Sequence, residues 1–143
     1  PYGKKTKVNT YDGDNLITVS NYLTMNDISI YCDDFENVLK KACAKDFVYL
    51  DPPYDSDTKT FNSYTEDGFN KDDQRRLAKV FKELDSKGVY VMLSNHNTVL
   101  VNELYKDYNI YKIDAKRNIN ANGAKRGKVE EVIITNYKND QEF

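Results

Sequence analysis

Apolar residues recur along this chain with two spacings, one helical and one strand-like. Leu16, Val19 and Leu23 stand three and four apart, the spacing of a single helix face. Ile28-Ser29-Ile30-Tyr31 is β-branched and aromatic and predicts a strand. Phe35, Val38, Leu39 and Ala42 return to helical spacing, behind Asp33 or Asp34 as the cap. Phe47-Val48-Tyr49-Leu50 is continuously apolar and predicts a strand buried on both faces. Asn70 sits at an N-cap position with Asp73 three residues on; Leu77, Val80, Phe81 and Leu84 follow, and Gly88 closes that helix. Residues 89–93 predict another buried strand, and Val99, Leu100 and Leu104 a short helix behind Asn97. Residues 108–113 and 129–135 predict two last strands around a Gly-containing loop.

Strands alternating with helices predict an α/β fold: a mostly parallel sheet with helices on both faces, closed by an antiparallel C-terminal hairpin. In open sheets of this class ligands bind beyond the carboxyl ends of the strands. That rule puts Asp51, Ser94 and Asn95 on one functional edge, while Tyr49 and Tyr111 are read as core.

At 143 residues the chain is of single-domain size, with 39% hydrophobic and 31% charged residues. No apolar run could span a bilayer, and the N-terminus has neither a signal-peptide pattern nor an initiator Met, so the chain is expected to begin partway through a longer protein. Cys32 and Cys43 are too far apart for a CxxC pair, and with His96 as the one histidine no metal is expected; reduced thiols fit a cytosolic protein. The net charge is −2, yet Lys116, Arg117, Lys125, Arg126 and Lys128 crowd a segment without acids, and Lys4, Lys5 and Lys7 form a second cluster. These clusters are either solvated loops or an edge that docks a phosphate backbone.

Asp51-Pro52-Pro53-Tyr54 directly follows an apolar strand. A chance match in this length is on the order of one in a thousand. The bland alternative is a strand ended by a Pro-Pro turn. The chemical reading is more specific. The amine on an adenine ring is a poor nucleophile, because its lone pair is delocalised into the ring. A carboxylate (Asp51) and a rigidly directed carbonyl (Pro52) accepting its two hydrogens would localise that pair. Tyr54 offers a flat face for a base turned out of the duplex.

The tetrapeptide resembles the catalytic motif of the amino-methyltransferases, in the Asp-first form associated with adenine N6 in DNA. The surrounding sequence resembles the Dam-type (D12 class) family across nearly the whole chain. Pro1-Tyr2-Gly3-Lys4 is similar to the end of that family's target-recognition region, expected here over residues 1–10. Phe61-Asn62-Ser63-Tyr64 through Phe69 is similar to the segment after the catalytic motif, and Ser94-Asn95-His96-Asn97-Thr98 to the next strand-end motif, where the family commonly has Asp in place of Asn97. Arg117 to Gly123 and Arg126-Gly127-Lys128 resemble its C-terminal hairpin loop.

The resemblance implies a partial Rossmann-like methyltransferase fold, with residues 1–143 as the C-terminal part of the catalytic domain. It implies S-adenosylmethionine as cofactor, with Asp34, Phe35 and Asp51 on the donor side, and catalysis by Asp51, Pro52, Pro53 and Tyr54. It implies double-stranded DNA as partner, contacted by Pro1, Lys4, Tyr64, Asn120, Asn122, Lys125 and Arg126, with GATC as the expected target. Asp34-Phe35 reads equally as a helix cap and core residue, and Tyr64 and Phe69 equally as packing or as lining of the adenine pocket. Ser94 and Asn95 could cap the next helix, and His96 reads as a polar turn residue. No FxGxG-type donor loop is present, so the donor site is expected to be incomplete without an N-terminal half, and this chain alone inactive. The alternative is a non-catalytic DNA-binding or assembly module.

Overall fold

In the computed structural model, which describes residues 11–56, 68–116 and 128–138, the chain forms two units, Pro1–Asp33 and Asp34–Phe143. The first holds helix α1 (Gly13–Met25), capped by Asp12, whose carboxylate accepts from the Asn15 amide at 3.1 Å. The helical spacing of Leu16, Val19 and Leu23 is borne out, but α1 buries none of its residues. Ile28-Ser29-Ile30-Tyr31 is not a strand. β-Branched composition satisfies no backbone hydrogen bonds by itself, and no described strand pairs with this segment.

The second unit contains α2 (Phe35–Leu39), β1 (Phe47–Leu50), α3 (Lys71–Ser86), β2 (Tyr90–His96), α4 (Val99–Leu104), β3 (Asn109–Lys116) and β4 (Lys128–Thr135). The strands lie in the order β1-β2-β4-β3. β1 and β2 are parallel, while β2–β4 and β3–β4 are antiparallel. The sheet is therefore mixed rather than mostly parallel. The expected hairpin is present, but β4 inserts beside β2, so two of the three pairings run antiparallel.

Alternation along the strands sorts side chains onto two faces. Val48, Leu50, Val91, Leu93, Val132 and Ile134 share one face and pack with Leu77, Phe81 and Leu84 of α3 and Val101 of α4. Phe81 is fully buried, with its ring edge-on to Tyr105 and Tyr108 at centroid distances of 5.2 and 4.7 Å. On the opposite face Phe47, Tyr49, Tyr90, Tyr111 and Ile113 are 42–59% exposed. Two expectations are corrected here: among the described residues of this unit the helices feed a core on one sheet face, and β1 is buried on one side. Tyr49 and Tyr111 are accordingly not core; an apolar run cannot reveal which of its alternate faces will be covered.

α3 follows its sequence signals closely. The Asn70 carboxamide accepts from the Asp72 and Asp73 amides, and the Asp73 carboxylate accepts from the Asn70 amide, a reciprocal cap. Gly88 follows the helix at φ +77°, a left-handed conformation that glycine adopts without strain. The cap of α4 is Thr98 rather than Asn97. None of the described helices is long and apolar enough to cross a membrane.

Candidate functional site

β1 ends at Leu50, so the Asp51–Tyr54 segment leaves the sheet at the carboxyl end of its edge strand. β2 runs parallel beside it and extends to His96, which places Ser94 and Asn95 within the strand rather than beyond its end. Alternation then gives these neighbours different tasks. Ser94, 3% exposed, lies on the same sheet face as Tyr49: the Tyr49 hydroxyl donates to Ser94 Oγ at 3.0 Å, and Ser94 Oγ donates to Asp51 Oδ1 at 2.8 Å. A serine hydroxyl can accept one bond while donating another, so the exposed Asp51 carboxylate is tied through Ser94 to Tyr49.

Asn95 is fully buried on the other face and touches the chain beyond Tyr54. Its Oδ1 accepts from the Asp55 amide at 2.8 Å, and its Nδ2 donates to Gln74 Oε1 at 3.1 Å. Gln74, 1% exposed on α3, donates from Nε2 to the Pro53 carbonyl at 2.9 Å. Ser94 and Asn95 do not cap α4, whose cap is Thr98; both meet the Asp51–Asp55 loop at the carboxyl ends of the paired strands. One serves the Asp51 side chain and the other the backbone of the same loop.

Asp55 is 4% exposed and carries three further ties. Lys71 Nζ lies 2.7 Å from Oδ1, Thr98 Oγ1 donates to Oδ2 at 2.5 Å, and His96 Nδ1 stands 2.7 Å from the Asp55 carbonyl. Since a carbonyl only accepts, Nδ1 carries the proton there. Burial pushes the Asp55 carboxyl up, but hydrogen bonds from Lys71 and Thr98 outweigh it and hold the group below its ordinary value of 3.8. Tyr54 is half-buried with its ring edge-on to His96 at 5.0 Å, and burial pushes its hydroxyl ionisation up.

Beside the loop is a cleft of about 230 Å³, with Phe35, Tyr49, Asp51, Pro52, Phe69 and Leu77 among its walls. Phe35 reaches it because Asp34 caps α2, accepting from the Glu36 amide at 2.9 Å. Arg76 of α3 binds Asp34, Glu36 and Asp73 at 3.0, 2.9 and 2.9 Å, with its guanidinium 4.9 Å from the Phe35 ring centre. The Glu36 amide and then Arg76 hold the Asp34 carboxyl below its ordinary range. Asp34 is thus the helix cap that the sequence offered, and Phe35 stands in the wall of the cleft. Phe69 likewise both packs on Phe35, with ring centres 6.2 Å apart, and lines the cleft.

Pro1, Lys4, Tyr64, Asn120, Asn122, Lys125 and Arg126 lie outside the described residues. Among the described residues no cluster of three or more His, Cys, Asp or Glu could hold a metal ion. Sequence reasoning missed Gln74, Asp55 and Lys71. Gln74 had a signal: it stands three before Leu77, four before Ala78 and seven before Phe81, a polar residue on an otherwise apolar helix face.

A family model described as D12 class N6 adenine-specific DNA methyltransferase matches residues 1–119. Type II methyltransferase M1.LlaDCHI of Lactococcus lactis subsp. cremoris is 50% identical over 141 residues, covering 97% of this chain and 50% of that protein. Type II methyltransferase M.MjaIII of Methanocaldococcus jannaschii is 44% identical over 141 residues, 96% of this chain and 48% of its own. A DNA adenine methylase of Vibrio cholerae is 36% identical over 105 residues, 71% of this chain and 38% of its own. The chain spans about half the length or less of these relatives.

Proposed function

The chain belongs to the D12 class of N6 adenine-specific DNA methyltransferases, and on that premise we propose that the whole protein methylates N6 of an adenine turned out of duplex DNA. The observation that carries this reading is the Asp51 carboxylate, held by Ser94 at the wall of an apolar cleft. Asp51 accepts one hydrogen of the adenine amine. The Pro52 carbonyl accepts the other, while the Pro53 carbonyl accepts from Gln74 on the protein side. Two acceptors fixed before the base arrives draw the nitrogen toward tetrahedral geometry without reorganising during the reaction. Tyr54 supplies a face for the base.

The methyl donor in this reading is S-adenosylmethionine, a flat nucleoside joined to a cationic sulfonium. The cleft suits part of it: Phe35 and Pro52 offer apolar walls, and Asp51 offers a negative charge. Asp34 acts on the donor side by fixing α2, and so Phe35, rather than through its own engaged carboxylate. When bound, the donor supplies an electrophilic methyl group. A cleft of about 230 Å³ is smaller than the roughly 300–1,000 Å³ usual for ligand sites, which supports a donor site shared with another segment. The exposed sheet face and the greater length of the relatives support the same division, with this chain as the C-terminal part of the catalytic domain.

Pro1, Lys4, Tyr64, Asn120, Asn122, Lys125 and Arg126 contact DNA in this reading, the basic ones on phosphates, and GATC is the first target to test. The test is methyl transfer by the full-length protein from labelled donor to duplexes with and without GATC, followed by nucleoside analysis of the product. N6-methyladenine is the expected product. Label on cytosine, or none in DNA, overturns the reading.

A further inference from the structure

The loop that carries Asp51 is gripped from inside the protein by two side-chain amides that the reaction itself does not call for. Gln74 and Asn95 are 1% and 0% exposed. Burying two carboxamides is costly unless their polar atoms are bonded, and an apolar side chain would fill either place without that cost. Here the bonds form a directed relay. Asn95 Oδ1 accepts from the Asp55 amide, Asn95 Nδ2 donates to Gln74 Oε1, and Gln74 Nε2 donates to the Pro53 carbonyl.

The relay has one workable polarity. Turning Gln74 about would set its oxygen against the Pro53 carbonyl and its NH2 against that of Asn95. Turning Asn95 about would set its NH2 against the Asp55 N–H. The His96 amide adds a second donor to Asn95 Oδ1 at 2.9 Å, which fixes that orientation further.

The ends of the relay matter most. The Pro53 carbonyl belongs to the peptide plane before Tyr54, and the Asp55 N–H to the plane after it. Each plane is rigid, so holding both fixes the two backbone torsions of Tyr54. The rings of Pro52 and Pro53 restrict their own φ, and Ser94 holds the Asp51 side chain. With the relay in place, little freedom remains between Asp51 and Asp55.

We propose that Gln74 and Asn95 are positioning residues for methyl transfer, acting through the Pro53 carbonyl and the Asp55 amide to aim the Asp51–Tyr54 loop at the target base. This rests on the function proposed above. Neither residue touches substrate. Their contribution lies in the placement of Asp51, the Pro52 carbonyl and Tyr54, and a misplacement of about 1 Å at a reacting centre can cost on the order of a hundredfold in rate.

The test uses the full-length protein with Gln74→Met, which keeps volume and removes both bonds, and Gln74→Glu, which keeps shape but sets an oxygen against the Pro53 carbonyl. Wild-type methylation of adenine is measured alongside, and its absence overturns the function reading itself. Given an active wild type, the inference predicts that kcat falls by about ten- to a hundredfold in both variants. It also predicts that KM for the duplex moves little, that thermal unfolding shows a folded protein at the assay temperature, and that the Asp55 amide exchanges faster with solvent. A folded Gln74→Met protein with wild-type kcat overturns it. So does a loss of rate that only follows the unfolded fraction. If Gln74→Glu does not fold, Gln74→Met alone decides.

Discussion

Ser94 Oγ donates to Asp51 Oδ1 at 2.8 Å from the strand beside the one that delivers Asp51, while accepting from the Tyr49 hydroxyl. One hydroxyl thus sets the direction of the carboxylate proposed to receive the amine. Ser94→Ala in the full-length protein should lower kcat by about tenfold, or about 1.4 kcal/mol of transition-state stabilisation. Tyr49→Phe, one bond further away, should cost less. Single-turnover methyl transfer measures both. Equal losses, or none from Ser94→Ala, contradict a hydroxyl that orients Asp51.

Asp55 gives the fold a pH dependence of known sign. Its carboxyl is held below its ordinary 3.8 in the folded state, because Lys71 and Thr98 outweigh the effect of burial. Its stabilisation is therefore fully present above that value and is lost as pH falls through the lower, folded value. Asp55→Asn should be less stable at neutral pH and should lose less on acidification below about pH 4. Urea unfolding at stepped pH reads the difference, and parallel curves for the two proteins contradict the assignment.

Arg76 holds α2 to α3 through Asp34, Glu36 and Asp73 and covers the Phe35 ring. A helix of five residues has little stability of its own. Arg76→Gln should make the backbone amides of Val38 and Lys40 exchange a few-fold faster and weaken donor binding by the full-length protein. Arg76→Lys should restore only part, because an ammonium cannot reproduce the fork of a guanidinium. Exchange unchanged in Arg76→Gln would show that α2 is held by its apolar contacts alone.

The helix α3 was legible because local signals coincide there: an Asn70–Asp73 cap, four apolar residues on one face, and a terminal glycine all mark the same segment. The order of the strands was not. β4 pairs between β2 and β3, and alternating helices and strands do not encode that insertion. The exposure of Tyr49 and Tyr111 was hidden for a related reason, since it depends on which sheet face the rest of the unit covers. At the site, Asp51 stood out because a carboxylate before two prolines at a strand end is rare. Ser94 and Asn95 were placed near it by the strand-end rule, but their separate tasks and the part of Gln74 were not legible, because β2 and α3 meet the loop only in three dimensions. Ile28-Ser29-Ile30-Tyr31 shows the converse, a strand-like composition without a strand.

In the proposed reaction the Asp51 carboxylate accepts from the target amine, and substitution there in the full-length protein tests this most directly. Asp51→Ala should reduce single-turnover methyl transfer to adenine by on the order of a hundred- to a thousandfold, as for removal of one preorganised hydrogen-bonding group. Thermal unfolding should barely change, because an exposed carboxylate at a strand end supports no core. A correctly folded Asp51→Ala protein within tenfold of the wild-type rate would contradict the account.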